Sequence, residues 1–228
     1  MFRSFQGGGR KGPPAQGPKM VISEPRFAML AQVRAYWEGL RKGEMLPLRS
    51  AIDPRGMEGA LEQAFLVERI APGIARFRLA GMQLTDLMGM DVRGMPLSAL
   101  VDPAGRERLA VLLEQMFNGP AALDLSLEAE RGIGRPALEG RILLLPVRGD
   151  MGADLALGCL ATAGLMGRSP RRFHIARALL EPVFAAQPAA PVPQRQSGFA
   201  EAVRPFTGAG KTPRATGRTH LRLVKSDD

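Results

Sequence analysis

The chain has 228 residues, of which 45% are apolar, which is enough to build one hydrophobic core. Its single cysteine, Cys159, excludes an internal disulfide and a multi-cysteine zinc site, and it suits a reducing compartment. The net charge of +9 comes from the ends: residues 1–19 carry four basic and no acidic side chains, and residues 168–228 carry 11 basic and four acidic ones. The near-neutral middle of the chain argues against a nucleic-acid-binding face, which needs its charge on a folded surface.

The distribution of residue types divides the chain into four segments. Residues 1–22 and 187–228 are rich in Gly, Pro and Gln, which predicts flexible tails. A domain with an N-terminal helical leader is predicted over residues 23–163, followed by an amphipathic helix over residues 164–186. We find no run of about 18 apolar residues and no apolar core of a secretory signal, so we expect a cytoplasmic protein without a membrane span.

The first predicted helix starts near Ser23 and has one apolar face. That face consists of Leu30, Val33, Trp37 and Leu40. We take it as a candidate self-association interface that would form a homodimer. The alternative is that it covers the chain's own sheet, and the spacing fits both because both bury the same stripe. A second helix is predicted after Asp53-Pro54, a capping residue followed by proline.

The rest of the domain alternates between strand and helix signals. Strand patterns begin near residues 65–67 and 75–79. A long helix is capped by Asp102, continues through Phe117 and stops at Gly119-Pro120. Three strand-like segments follow, over residues 123–129, 137–147 and 154–162. This order predicts an α+β fold, a half-wrapped five-stranded antiparallel sheet with helices on one face.

The segment RRFHIARALLEPVFAA, residues 171–186, has apolar residues at roughly helical spacing among basic ones. We predict a basic amphipathic helix that binds a partner, lies on an acidic membrane surface or packs back on the domain. The alternating segment HLRLVK, residues 220–225, favours addition of a strand to an exposed sheet edge.

Residues 84–119 read LTDLMGMDVRGMPLSALVDPAGRERLAVLLEQMFNG, with a Met88-Gly89 step, an Arg93-Gly94 step and a Leu-Val-Asp-Pro entry to the long helix. Residues 36–54 carry a leader of the form YW..LR.G..LP.RS.IDP. This sequence resembles the PAS sensor domain, and in particular a bacterial family of stand-alone PAS proteins. The resemblance implies a five-stranded antiparallel sheet with helical connections, a regulatory role in cytoplasmic signalling and no catalysis.

A PAS-like pocket suggests one candidate ligand site. Its lining would come from Met88, Leu109, Leu112 and Met116, because methionine adapts to irregular apolar shapes. The alternative is ordinary core packing. Haem-binding PAS domains use a histidine on the long helix, and flavin photoreceptors use a reactive cysteine in an NCRF-like motif. The histidines here lie outside the domain and Cys159 lies in a predicted strand, so we expect no haem, flavin or metal.

We interpret the chain as a cytoplasmic PAS regulatory protein that acts in signal transduction by contact with a signalling protein, gated by a small apolar ligand. We find no nucleophile–base or metal constellation, so we do not expect an enzyme. The alternative is a nucleic-acid-associated protein that uses its basic tails.

Overall fold

The computed structural model describes residues 25–149 and 154–184, and both predicted tails lie outside this range. Three α-helices lie within the described range: α1 (Ala28–Arg41), α2 (Met82–Met88) and α3 (Arg106–Asn118). Six strands lie within it as well: β1 (Ala64–Ala71), β2 (Ile74–Ala80), β3 (Ala121–Ala129), β4 (Leu138–Arg148), β5 (Asp154–Gly164) and β6 (Phe173–Pro182). Short 3₁₀ turns connect several of these elements, among them Pro54–Ala60, where the sequence predicts a second helix.

The strands form one antiparallel sheet in the order β2-β1-β5-β4-β3-β6. The α+β fold class expected from the sequence is therefore confirmed. The expected strand number is wrong, because the sheet has six strands rather than five. The sixth strand lies where the sequence predicts an amphipathic helix over residues 164–186.

The helix prediction was wrong because β6 carries apolar residues on both of its faces and contains a β-bulge. Phe173 and Ile175 pair with Ala129 and Leu127, and they face the core. The register then shifts by one residue, so the next residues packed against the same core are Ala178 and Leu180. The helix prediction relied on the near-helical spacing of Phe173, Ala176, Leu179, Leu180 and Phe184. In the strand this row is divided, because Phe173 and Leu180 pack on the inner core whereas Ala176 is exposed.

Helices α2 and α3 cover the inner face of the sheet. The predicted cap at Asp102 is present, since its carboxylate accepts a hydrogen bond from the Gly105 backbone N–H at 2.7 Å. It opens the 3₁₀ turn Pro103–Gly105, and α3 itself begins three residues later than predicted, at Arg106. The buried side of α3 consists of Leu109, Leu113 and Met116. These side chains share one apolar cluster with the core-facing residues of all six strands.

Helix α1 covers the outer face of the sheet, so both faces are covered rather than one. Its buried residues pack on apolar side chains of β4 and β5, such as Leu145 and Leu157. The Arg34 guanidinium lies 2.9 Å from the Glu181 carboxylate and ties α1 to β6. The sheet is therefore the middle layer of three.

Candidate functional site

The predicted ligand-lining residues belong to the inner core. Met88, Leu109 and Met116 are buried and Leu112 is half-buried, and all four pack in the same cluster. Neither of the two cavities described below is lined by any of them. The structure therefore brings these residues together as core packing, which is the alternative that the sequence left open.

The predicted self-association face lies inside the chain. Leu30, Val33 and Trp37 are at most 1% exposed, and Leu40 is half-buried. The Trp37 indole N–H donates a hydrogen bond of 2.9 Å to the Pro146 carbonyl. Pro146 lies in the part of β4 that follows Leu144, where the pairing with β3 ends. The interpretation as a self-association interface is therefore wrong for the three buried residues, because their surface is already used against the sheet.

Cys159 and His174 carry side chains that can react or titrate, and both are held in place by the fold. Burial raises the pKa of the Cys159 thiol to about 12, so the thiolate that would react is strongly disfavoured. The His174 Nδ1 lies 3.3 Å from the Asp102 carboxylate, at the junction of β6 and the turn before α3. Within residues 25–149 and 154–184, no three metal-ligating side chains form a cluster.

The leader segment between α1 and β1 is held by its own polar residues. The Tyr36 hydroxyl donates to the Asp53 carbonyl at 2.9 Å and accepts from the Asp53 backbone N–H at 2.8 Å. The Arg41 Nε donates to the carbonyls of Glu44 and Met45 at 3.2 and 3.0 Å. These bonds fix the loop of residues 42–53 against α1, and the Arg148 N–H of β4 donates to the Pro47 carbonyl at 2.9 Å, which joins the loop to the sheet.

A partly open cavity of about 270 Å³ lies between this loop, the 3₁₀ turn after it and strands β1, β2 and β5; we call it the leader cavity. Its walls are mainly apolar and include Ile52, Met57, Leu61, Leu66, Leu79 and Leu157. Its charged lining residues are Arg49 and Arg93. Arg93 is bound to Asp91, whose carboxylate its Nε reaches at 2.8 Å.

A second cavity of about 180 Å³ lies over β3, β4 and β6 on the outer face. Its lining includes an exposed ion pair, in which Arg26 and Glu139 approach to 2.8 Å. Its two arginines are already paired, Arg26 with Glu139 and Arg141 with Asp124.

The outer side of the β1–β2 hairpin is exposed; we call it the hairpin face. At its centre the Glu68 carboxylate accepts hydrogen bonds from Arg76 at 3.1 Å and from Arg78 at 2.8 Å. Partial desolvation raises the pKa of Glu68, but the hydrogen bonds and charges of the two arginines outweigh it and hold that pKa below its usual value. Ile74 and Leu79 flank this cluster and are 45% and 51% exposed. The face therefore combines apolar surface with one excess positive charge.

None of the described helices has the length and hydropathy that crossing a membrane requires.

No curated protein matches the chain. Residues 26–161, more than half of the chain, match the family model described as the PAS domain. The match runs from the start of α1 almost to the end of β5 and includes the helices on both faces of the sheet. A PAS domain suggests a sensory or regulatory role, and we conclude that this chain belongs to the PAS domain family.

Proposed function

We propose that the chain is a non-enzymatic regulatory protein of cytoplasmic signal transduction. It acts by contact between its hairpin face and a signalling protein, and a small ligand with an apolar body modulates that contact. The exposed hairpin face is the observation that carries the proposal. Exposed apolar side chains beside charged ones are typical of surfaces that bind another protein.

The charges of the hairpin face favour a particular kind of partner. Arg76 and Arg78 share one carboxylate, Glu68, so the cluster keeps one unmatched positive charge. A partner that places a carboxylate between two apolar contacts would complement it. A symmetric homodimer through the same face would bring two like charges together, which disfavours a second copy of this chain.

The test compares two single substitutions in the full chain. Ile74→Glu adds a negative charge to the hairpin face, and Val111→Glu adds the same charge to the exposed side of α3. Both positions are exposed, so each variant should stay within about 0.5 kcal/mol of the wild-type stability. Affinity purification from the source cells should recover a partner with wild type and Val111→Glu but not with Ile74→Glu.

The recovered protein is then purified and titrated against the three forms by calorimetry. We expect Ile74→Glu to weaken the affinity by at least about tenfold, because it inserts a charge among apolar contacts. Equal affinities of all three forms would contradict a contact at the hairpin face. Light scattering of the wild type alone tests for a homodimer. If a dimer forms and Ile74→Glu dissociates it, the hairpin face binds a second copy of this chain instead of a different protein.

A further inference from the structure

We propose that the leader cavity binds a medium-chain carboxylate, with the chain in the cavity and the carboxylate on Arg49. The inference rests on the ligand-modulated part of the proposed function and gives that ligand a chemical class and a site. The site is separate from the four residues predicted to line a pocket, since none of Met88, Leu109, Leu112 and Met116 lines it.

The charge of the cavity lining indicates an anionic group. The described lining residues contain two arginines and no acidic residue. Arg93 is already paired with Asp91, whereas no hydrogen bond or ion pair within the described residues engages the Arg49 guanidinium. Arg49 is half-buried and lines the cavity, and a long basic side chain in such a position can cover its apolar stem while its charged group remains in contact with water. A guanidinium in this position pairs well with a carboxylate, because two parallel hydrogen bonds can form.

The walls of the cavity indicate an apolar body. Met57 and Leu66 are buried, and Leu61 and Leu79 contribute half-exposed aliphatic surface at the rim. At about 30 Å³ for each water-sized atom, 270 Å³ holds roughly nine non-hydrogen atoms. Octanoate, with about ten such atoms, is therefore a linear carboxylate of matching size.

The position of the cavity offers a route from ligand to partner. Leu79 lines the leader cavity and also belongs to the hairpin face. Across the sheet it pairs with Leu66, a second lining residue. A bound chain would pack against Leu79 and change its exposure, which alters the surface that the partner meets.

The experiment titrates the full chain with hexanoate, octanoate, decanoate and 1-octanol by calorimetry. Octanoate should bind about fourfold more tightly per added CH₂ than hexanoate, and decanoate should gain less per CH₂ because the partly open cavity leaves the end of its chain in water. Octanoate should also bind at least about tenfold more tightly than octanol, since only the carboxylate pairs with Arg49. In Arg49→Gln that preference for octanoate should disappear while octanol binds as before.

Two further variants complete the test. Arg106→Gln removes the same charge from the exposed start of α3 and should leave octanoate binding unchanged. Leu61→Trp fills the rim of the cavity and should weaken octanoate and octanol alike, with its fold checked by circular dichroism. The inference is overturned if wild type does not bind octanoate at millimolar concentration, or if Arg49→Gln and Arg106→Gln behave alike. Neither result would affect the partner binding that Ile74→Glu is expected to abolish. The experiments therefore distinguish failure of the ligand proposal from failure of the proposed contact at the hairpin face.

Discussion

Arg141 of β4 and Asp124 of β3 meet across the sheet, where the Arg141 Nε and Nη2 donate to the two carboxylate oxygens at 2.8 Å each. The side chains are only 14% and 7% exposed, so the pair is largely removed from water. Replacing one partner leaves the other charge buried without compensation, which is much less favourable than removing both.

Arg141→Met should therefore lower the free energy of unfolding by about 3–5 kcal/mol, measured by urea denaturation. The control is Arg26→Gln, which breaks the exposed pair with Glu139 and should cost about 0–1 kcal/mol. The double variant Asp124→Leu/Arg141→Met should recover part of the loss. A single variant as mild as the control would contradict the importance of this buried pair.

Trp37 should behave as a core residue rather than as an interface residue. Trp37→Phe retains most of the apolar area but leaves the Pro146 carbonyl without its donor, which should cost about 1–3 kcal/mol. Trp37→Glu should lower the melting temperature strongly without changing the mass in solution. A thermal melt combined with light scattering measures both quantities, and a changed mass with an unchanged melting temperature would restore the self-association interpretation.

The buried stripe of α3 should carry more stability than its exposed side. Leu113→Ala removes a buried side chain and should destabilise by about 2–5 kcal/mol, from lost transfer energy and the cavity left behind. Val111→Ala on the exposed side should stay within about 0.5 kcal/mol. Similar urea midpoints for the two variants would mean that α3 does not pack as described.

Glu114 should make stability depend on acid. The Gly73 backbone N–H, at 2.8 Å, is the main cause of its lowered pKa, followed by Asn118 and, after them, Arg69. Because the folded-state pKa is below the unfolded one, the ionised carboxylate stabilises the fold above the unfolded pKa. That stabilisation is lost as the pH falls through the lowered value.

The stability difference between wild type and Glu114→Gln should therefore be largest near neutral pH and shrink on acidification. Urea midpoints from about pH 7 to about pH 3 measure it. Glu68 on the outer face titrates in both forms, so its contribution cancels in the comparison. A difference that stays constant over this range would show that Glu114 acts through shape alone.

Regular elements were predictable wherever local patterns and packing agree. The cap at Asp102 and the alternation from Leu123 to Ala129 each identify their element without tertiary information. β6 was not predictable in this way, because its apolar residues lie on both faces of the strand and their alternation changes phase at the bulge after Ile175. Only the pairing with β3 distinguishes the two structures.

The candidate site was less accessible from the sequence than the fold. Leu30, Val33 and Trp37 were correctly assigned to one apolar face, but the sequence does not say whether the chain itself or a second copy covers that face. Arg49 lies within the leader of residues 36–54, but neither its spacing from other residues nor a known motif indicates that it binds a ligand. Its significance depends on which residues line the leader cavity, and these come from several distant segments.

The sixth strand limits how far this domain can be truncated at its C-terminal end. The family match ends at residue 161 and the sequence-based boundary at residue 163, both before β6. A fragment ending there would keep every matched element but would expose the edge of β3, from Ala121 to Ala129, that β6 occupies in the longer chain. Unpaired strand edges recruit other strands, so such a fragment should aggregate or exchange strands between copies. The smallest well-behaved form of this PAS domain therefore extends at least to Pro182.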